Sequence, residues 1–108
     1  MHGIVETAAF RVRDGVTESQ LIEASAAFQE DFLNNQPGLV RRELLKLNDR
    51  EYVDLVHWRS AEDAAAVIER AATSAACHRY FSVMDDDCAD PQGGVTHYQS
   101  IAVYAADR

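Results

Sequence analysis

Tyr52-Val53-Asp54-Leu55-Val56-His57-Trp58-Arg59-Ser60 decides the fold. Side chains alternate between the two faces of a strand, so Tyr52, Asp54, Val56 and Trp58 share one side while Val53, Leu55, His57 and Arg59 share the other. Each set carries large apolar groups. A strand of this kind sits in a sheet that is covered on both faces, one by helices and the other by something else.

The chain on either side supplies the rest of the sheet. Ile4 to Arg13 alternates Ile4, Glu6, Ala8, Phe10 and Val12 against Val5, Thr7, Ala9, Arg11 and Arg13, the period of a strand, and Asp14-Gly15 marks a turn. Thr17-Glu18-Ser19-Gln20 is a capping box that predicts a helix start. The helix carries Leu21, Ala24, Phe28 and Phe32 on one stripe and ends in Asn34-Asn35-Gln36-Pro37-Gly38. Leu39 to Leu47 and Glu51 to Arg59 read as two strands joined in a hairpin through Asn48-Asp49-Arg50.

Ser60-Ala61-Glu62-Asp63 caps a second helix whose buried stripe is Ala64, Val67, Ile68 and Ala71. Thr73-Ser74 competes for backbone hydrogen bonds and predicts a kink or a fresh cap at Ser74, followed by a stripe of Cys77, Tyr80, Phe81 and Met84. Asp85 to Gly94 reads as a loop and Val95 to Tyr104 as a last alternating strand.

The order strand, helix, strand, strand, helix, strand is the α+β, ferredoxin-like βαββαβ arrangement: an antiparallel four-stranded sheet with both helices on one face. Helices cover only that face. The economical cover for the other is a second copy of the chain, giving a homodimer joined through its sheet faces.

Composition agrees with one domain spanning 1–108. The 108 residues are 47% apolar, and 10 Lys plus Arg stand against 18 Asp plus Glu for a formal charge of -8. That balance argues against nucleic acid or an anionic membrane as a partner. No apolar run approaches the roughly 20 residues of a spanning helix, and Met1-His2-Gly3-Ile4-Val5-Glu6 lacks the basic start of a secretory signal, so a cytoplasmic location is expected. Cys77 and Cys88 read as reduced thiols rather than as a disulfide or a metal site. Asp85-Asp86-Asp87 and Asp90 lack the glycine and distal Glu of a calcium loop and read as hydrated acids.

The run Tyr52 to Ser60, the helix start Ala61-Glu62-Asp63-Ala64, the later Ser74-Ala75-Ala76-Cys77-His78-Arg79-Tyr80-Phe81 and the turn Pro37-Gly38-Leu39-Val40 together resemble the antibiotic biosynthesis monooxygenase family. The resemblance spans nearly the whole chain and implies a dimeric α+β barrel. Members include cofactor-free oxygenases of polyketide quinol-type substrates, quinol oxidases and haem-degrading enzymes. By resemblance, the pocket-lining Trp falls on Trp58, a polar residue four positions earlier on Asp54, and a basic or imidazole residue some twenty positions later on His78.

Asp54, His78 and Trp58 are thus the candidate catalytic residues, with Phe28, Tyr52, Tyr80 and Phe81 as candidate walls for a small apolar or aromatic molecule. An aromatic hydroxyl that some oxygenases carry early in the second helix would fall near Ala64, and the first-strand Asn of the haem degraders is missing. The expected activity is therefore oxygenation without a cofactor or metal, with haem on His78 as a lesser variant. The base would be Asp54, its pKa raised by burial beside Trp58, or the imidazole of His78, while Trp58 would stack on the substrate and donate through its indole nitrogen.

Other readings stand beside these. Trp58 also fits a plain core position, Asp54 can pair with Arg42 across the hairpin, and His78 lies beside the buried stripe rather than on it. His57 and His97 read as satisfied histidines at the dimer interface. A binder of an apolar metabolite, or a dimeric domain with no small-molecule role, is the alternative to an enzyme. A cavity of several hundred cubic ångströms with Asp54 and His78 converging on Trp58 would favour the small-molecule readings over the last.

Overall fold

The computed structural model describes residues 3–85 and 94–106. Four strands, β1 (Ile4–Arg11), β2 (Leu39–Lys46), β3 (Glu51–Trp58) and β4 (Val95–Gln99), form one sheet in the order β2-β3-β1-β4. Every pairing is antiparallel. Helix α1 (Glu18–Asp31), a short 3-10 turn (Leu33–Asn35), α2 (Ala61–Ala71) and α3 (Ala75–Phe81) complete the fold. This is the expected ferredoxin-like α+β arrangement. Asp86, Asp87, Cys88 and Asp90, whose hydrated-acid and free-thiol readings came from the sequence, lie outside the described residues, as does His2.

Local chemistry sets the helix boundaries. Thr17 accepts from the Gln20 amide at 3.1 Å while Gln20 Oε1 accepts from the Thr17 amide at 2.9 Å, closing the capping box. Ser60 caps α2 through the Asp63 amide. The expected interruption at Thr73-Ser74 is a true break, because Ser74 is a new cap whose hydroxyl accepts from the Cys77 amide.

The β3 side chains alternate as their sequence predicts. Tyr52, Asp54, Val56 and Trp58 are buried beneath the helices, whereas Val53, Leu55 and His57 are half-buried on the opposite face. Two packed clusters fill the helix side, one around Trp58, Phe32, Leu33 and Val67 and one around Phe10, Tyr52, Leu21 and Tyr80.

Two strands are shorter than the alternation suggests. β1 ends at Arg11, beyond which Val12 forms only an isolated bridge with Met84. The last strand ends at Gln99 rather than Tyr104. Its partner strand stops first: β4 runs antiparallel to β1, Gln99 already faces Ile4, and the Ser100 amide donates to the Gly3 carbonyl as the final contact. Residues 101–106 therefore pass the end of the sheet, and Ile101, Val103 and Tyr104 are exposed.

Candidate active site

Between sheet and helices lies a partly open, largely apolar cavity of about 90 Å³. Sheet residues Glu6, Ala8, Asp54, Val56 and Trp58 form its floor, and Phe28, Phe32, Val67, Ala71, Tyr80 and Phe81 come from the helical side. The volume is well below the several hundred cubic ångströms expected. It is also smaller than the roughly 150 Å³ of an engineered cavity that accepts benzene. A ring-sized guest must part the walls, and Phe28 and Phe81, only partly buried, are the walls most able to yield.

Asp54 stands on this floor but is fully engaged. Arg42 on the neighbouring strand places Nε 3.1 Å and Nη2 2.8 Å from Asp54 Oδ1. The Tyr80 hydroxyl donates to Oδ2 at 2.6 Å. Arg42 also donates to the Tyr80 oxygen at 3.1 Å and to the Ser25 carbonyl at 3.2 Å, and its guanidinium packs against the Phe28 and Tyr80 rings. Burial pushes the Asp54 carboxyl above its usual range, against the opposing pull of Arg42 and Tyr80. Burial and the Asp54 charge likewise push the Tyr80 phenol far above the usual tyrosine range, so it stays a neutral donor. The pairing with Arg42 that the hairpin allowed is the arrangement found.

Trp58 lines the cavity at 1% exposure. Its indole N–H is not free to meet a substrate, because Nε1 donates to Glu6 Oε1 at 3.1 Å. That same oxygen lies 3.4 Å from His97 Nε2. Glu6 faces His97 directly in the β1–β4 register, so His97 projects to the helix side of the sheet and not toward the opposite face, where the sequence reading placed it. Glu6 is the residue that sequence reasoning passed over. The available signal was its position among Ile4, Ala8, Phe10 and Val12 on the inward face of β1, where an unexplained acid is conspicuous.

Phe28, Tyr80 and Phe81 take their expected places in the wall, and Tyr52 does not. Tyr52 is buried one layer away, stacked on Phe10 at 5.9 Å between ring centres. His78 is not brought to the cavity either. It is exposed on α3, with Nε2 2.9 Å from the Ala72 carbonyl, because the break at Ser74 turns that face of the helix toward solvent.

The same fold recurs in solved structures. SnoaB, a cofactor-independent oxygenase from Streptomyces nogalater, superposes with a TM-score of 0.63 at 14% identity over 93% of this chain and 94% of its own. ActVA-Orf6, a monooxygenase of Streptomyces coelicolor solved with nanaomycin D, gives 0.64 at 17% identity over 96% and 93%. The chain has the fold of the antibiotic biosynthesis monooxygenases. MhuD, solved with two manganese protoporphyrin IX molecules per active site, shares this monooxygenase fold, with a TM-score of 0.65 at 22% identity over 95% and 99%. No protein-family profile and no curated protein sequence matches the chain.

A porphyrin does not fit the cavity as it stands. Among the described residues no imidazole or thiol lines it, and its volume is far below what a whole macrocycle needs. No cluster of three potential metal ligands occurs among the described residues. No helix among them is long and apolar enough to cross a membrane.

Proposed function

We propose that the protein is a cofactor-independent monooxygenase of a small aromatic or quinol-type substrate bound between sheet and helices. The observation that carries this reading is an apolar, aromatic-walled cavity with carboxylates built into its floor, at Glu6 and Asp54. Such chemistry asks little else of a protein. An activated methylene or phenol loses a proton to a base, and the resulting anion reduces O2 without help.

For an anthrone-type methylene, one C–H bond breaks and its proton passes to the base. The carbanion forms a C–O bond to O2, giving a peroxide that takes up the proton. Loss of the second C–H proton with cleavage of the O–O bond leaves a ketone and one water, so that one methylene and one dioxygen become one carbonyl and one water. The protein supplies the base, excludes bulk water and holds the ring against Phe28, Tyr80 and Phe81.

The working unit in this reading is a homodimer. Val5, Val53 and Leu55 are half-buried and Leu45 and Tyr98 exposed on the sheet face away from the helices, an apolar surface suited to a second copy. Oxygen uptake by the purified protein with anthrone and with methylhydroquinone tests the activity. Uptake of one O2 per anthrone with formation of anthraquinone is expected. Ligand-induced quenching of Trp58 fluorescence without any uptake would instead mark the protein as a binder.

A further inference from the structure

We propose that Glu6 is the catalytic base of this site, with Trp58 and His97 as its positioning residues, and that Asp54 is not the base. The proposal rests on the oxygenase reading above and assigns the proton-accepting atom within it.

The two carboxylates of the floor differ in what they already hold. Asp54 has an Arg42 nitrogen pair on one oxygen and the Tyr80 hydroxyl on the other. A proton delivered to Asp54 would displace one of these and leave the Arg42 charge buried without its counter-ion, since the Arg42 side chain is only 7% exposed. Removing one member of a buried pair is strongly unfavourable. Asp54 therefore offers no free oxygen to a substrate C–H bond, although burial raises its affinity for a proton.

Glu6 is arranged differently. Both of its contacts, Trp58 Nε1 at 3.1 Å and His97 Nε2 at 3.4 Å, fall on Oε1. Among the described residues Oε2 has no protein partner, yet the side chain is only 17% exposed and borders the cavity. One oxygen is anchored and the other is available, which is what a general base requires. The Trp58 anchor is held by its burial in the core, and the strand register sets His97 opposite Glu6.

Proton transfer balances on Glu6 alone. Oε2 takes the first C–H proton and gives it to the peroxide; the regenerated carboxylate takes the second C–H proton as the O–O bond breaks and passes it to the departing hydroxide, which leaves as water. No additional donor or acceptor is consumed. His97, 39% exposed at its side chain, faces Glu6 from the solvent edge of the sheet and presents a nitrogen to the oxygen that does not react.

The test compares wild type, Glu6→Gln, Glu6→Asp and His97→Gln with anthrone. Glu6→Gln keeps an oxygen to accept the Trp58 N–H, so the fold and anthrone quenching of Trp58 should persist. Its oxygen uptake should fall by about 10²-fold or more, the usual worth of a general base. Mixed anaerobically with anthrone, wild type should develop the visible absorbance of the anthrone anion and Glu6→Gln should not. Glu6→Asp, a shorter carboxylate, should recover part of both signals, and His97→Gln should lower kcat with little change in KM. Active wild type with Glu6→Gln within threefold of it overturns the assignment, as does anion formation by Glu6→Gln. Wild type that forms no anion and takes up no oxygen brings down the oxygenase reading itself, and the base with it.

Discussion

Arg42 reaches across the β2–β3 hairpin to Asp54, with Nη2 2.8 Å from Oδ1 and both side chains less than a tenth exposed. The pair belongs to a closed set with the Tyr80 hydroxyl and the Ser25 carbonyl. It ties β2 and β3 to α1 and α3, and holds the Phe28 and Tyr80 rings that wall the cavity. Its first role is architectural.

Breaking this pair on one side should be costly. Asp54→Ala leaves a buried guanidinium without a counter-ion and should lower unfolding free energy by about 3–5 kcal/mol in urea titrations. Replacing the three groups together, with Arg42→Met, Asp54→Leu and Tyr80→Phe, removes the orphaned charge and should recover most of that loss. A triple variant less stable than Asp54→Ala would show that the network contributes net stability.

Tyr80 makes stability sensitive to alkaline pH. Its folded-state pKa is raised above the unfolded value of 10.0, so the folded chain keeps a proton that the unfolded chain releases. The contribution is whole below the unfolded value and is lost as pH climbs from there toward the folded one. Urea midpoints should hold steady up to about pH 9 and fall beyond about pH 10. The Tyr80→Phe protein, less stable at neutral pH, should show a distinctly shallower alkaline fall; an identical slope would assign the effect to other groups.

Most of the fold was legible because it follows from side-chain period and capping chemistry. The alternation Tyr52, Asp54, Val56, Trp58 placed those residues beneath the helices, and Ser74 announced the break between α2 and α3. The end of β4 was not legible, because Ile101 and Val103 alternate as well as Val95 and His97 do, and only the length of the partner strand stops the pairing. The site was read in part. Trp58, Asp54, Phe28, Tyr80 and Phe81 border the cavity, but Glu6 and His97 meet only through the β1–β4 register, which joins residues some ninety positions apart. His78 falls on the exposed side of α3, beside the buried Cys77 and Tyr80 as the stripe's spacing has it, and only the resemblance carried it toward the cavity.

The size of the cavity predicts a simple block. Ala71 borders it at 7% exposure, and Ala71→Leu adds about three carbons into a space of about 90 Å³. Anthrone should no longer quench Trp58, while the thermal midpoint should stay within a few degrees of wild type or rise, since filling a void restores contacts. Unchanged anthrone quenching in a folded Ala71→Leu protein would place the binding site elsewhere.

The apolar sheet face predicts self-association. Val53 and Leu55 flank the centre of that face on β3, Leu45 stands opposite Val53 on β2, and Tyr98 stands opposite Val5 on β4, so the apolar surface crosses the whole sheet. A stable interface buries about 800 Å² per partner, a demand that a four-stranded face of this width can meet. Light scattering should return twice the 12.0 kDa of one chain. Placing charge at the centre, with Val53→Glu and Leu55→Glu together, sets like charges opposite one another across the two-fold axis and should return a single-chain mass with the helical circular dichroism retained. A wild-type mass of one chain at micromolar concentration would refute the dimer. The helix-side cavity would then have to work in a protomer whose second face is open to water.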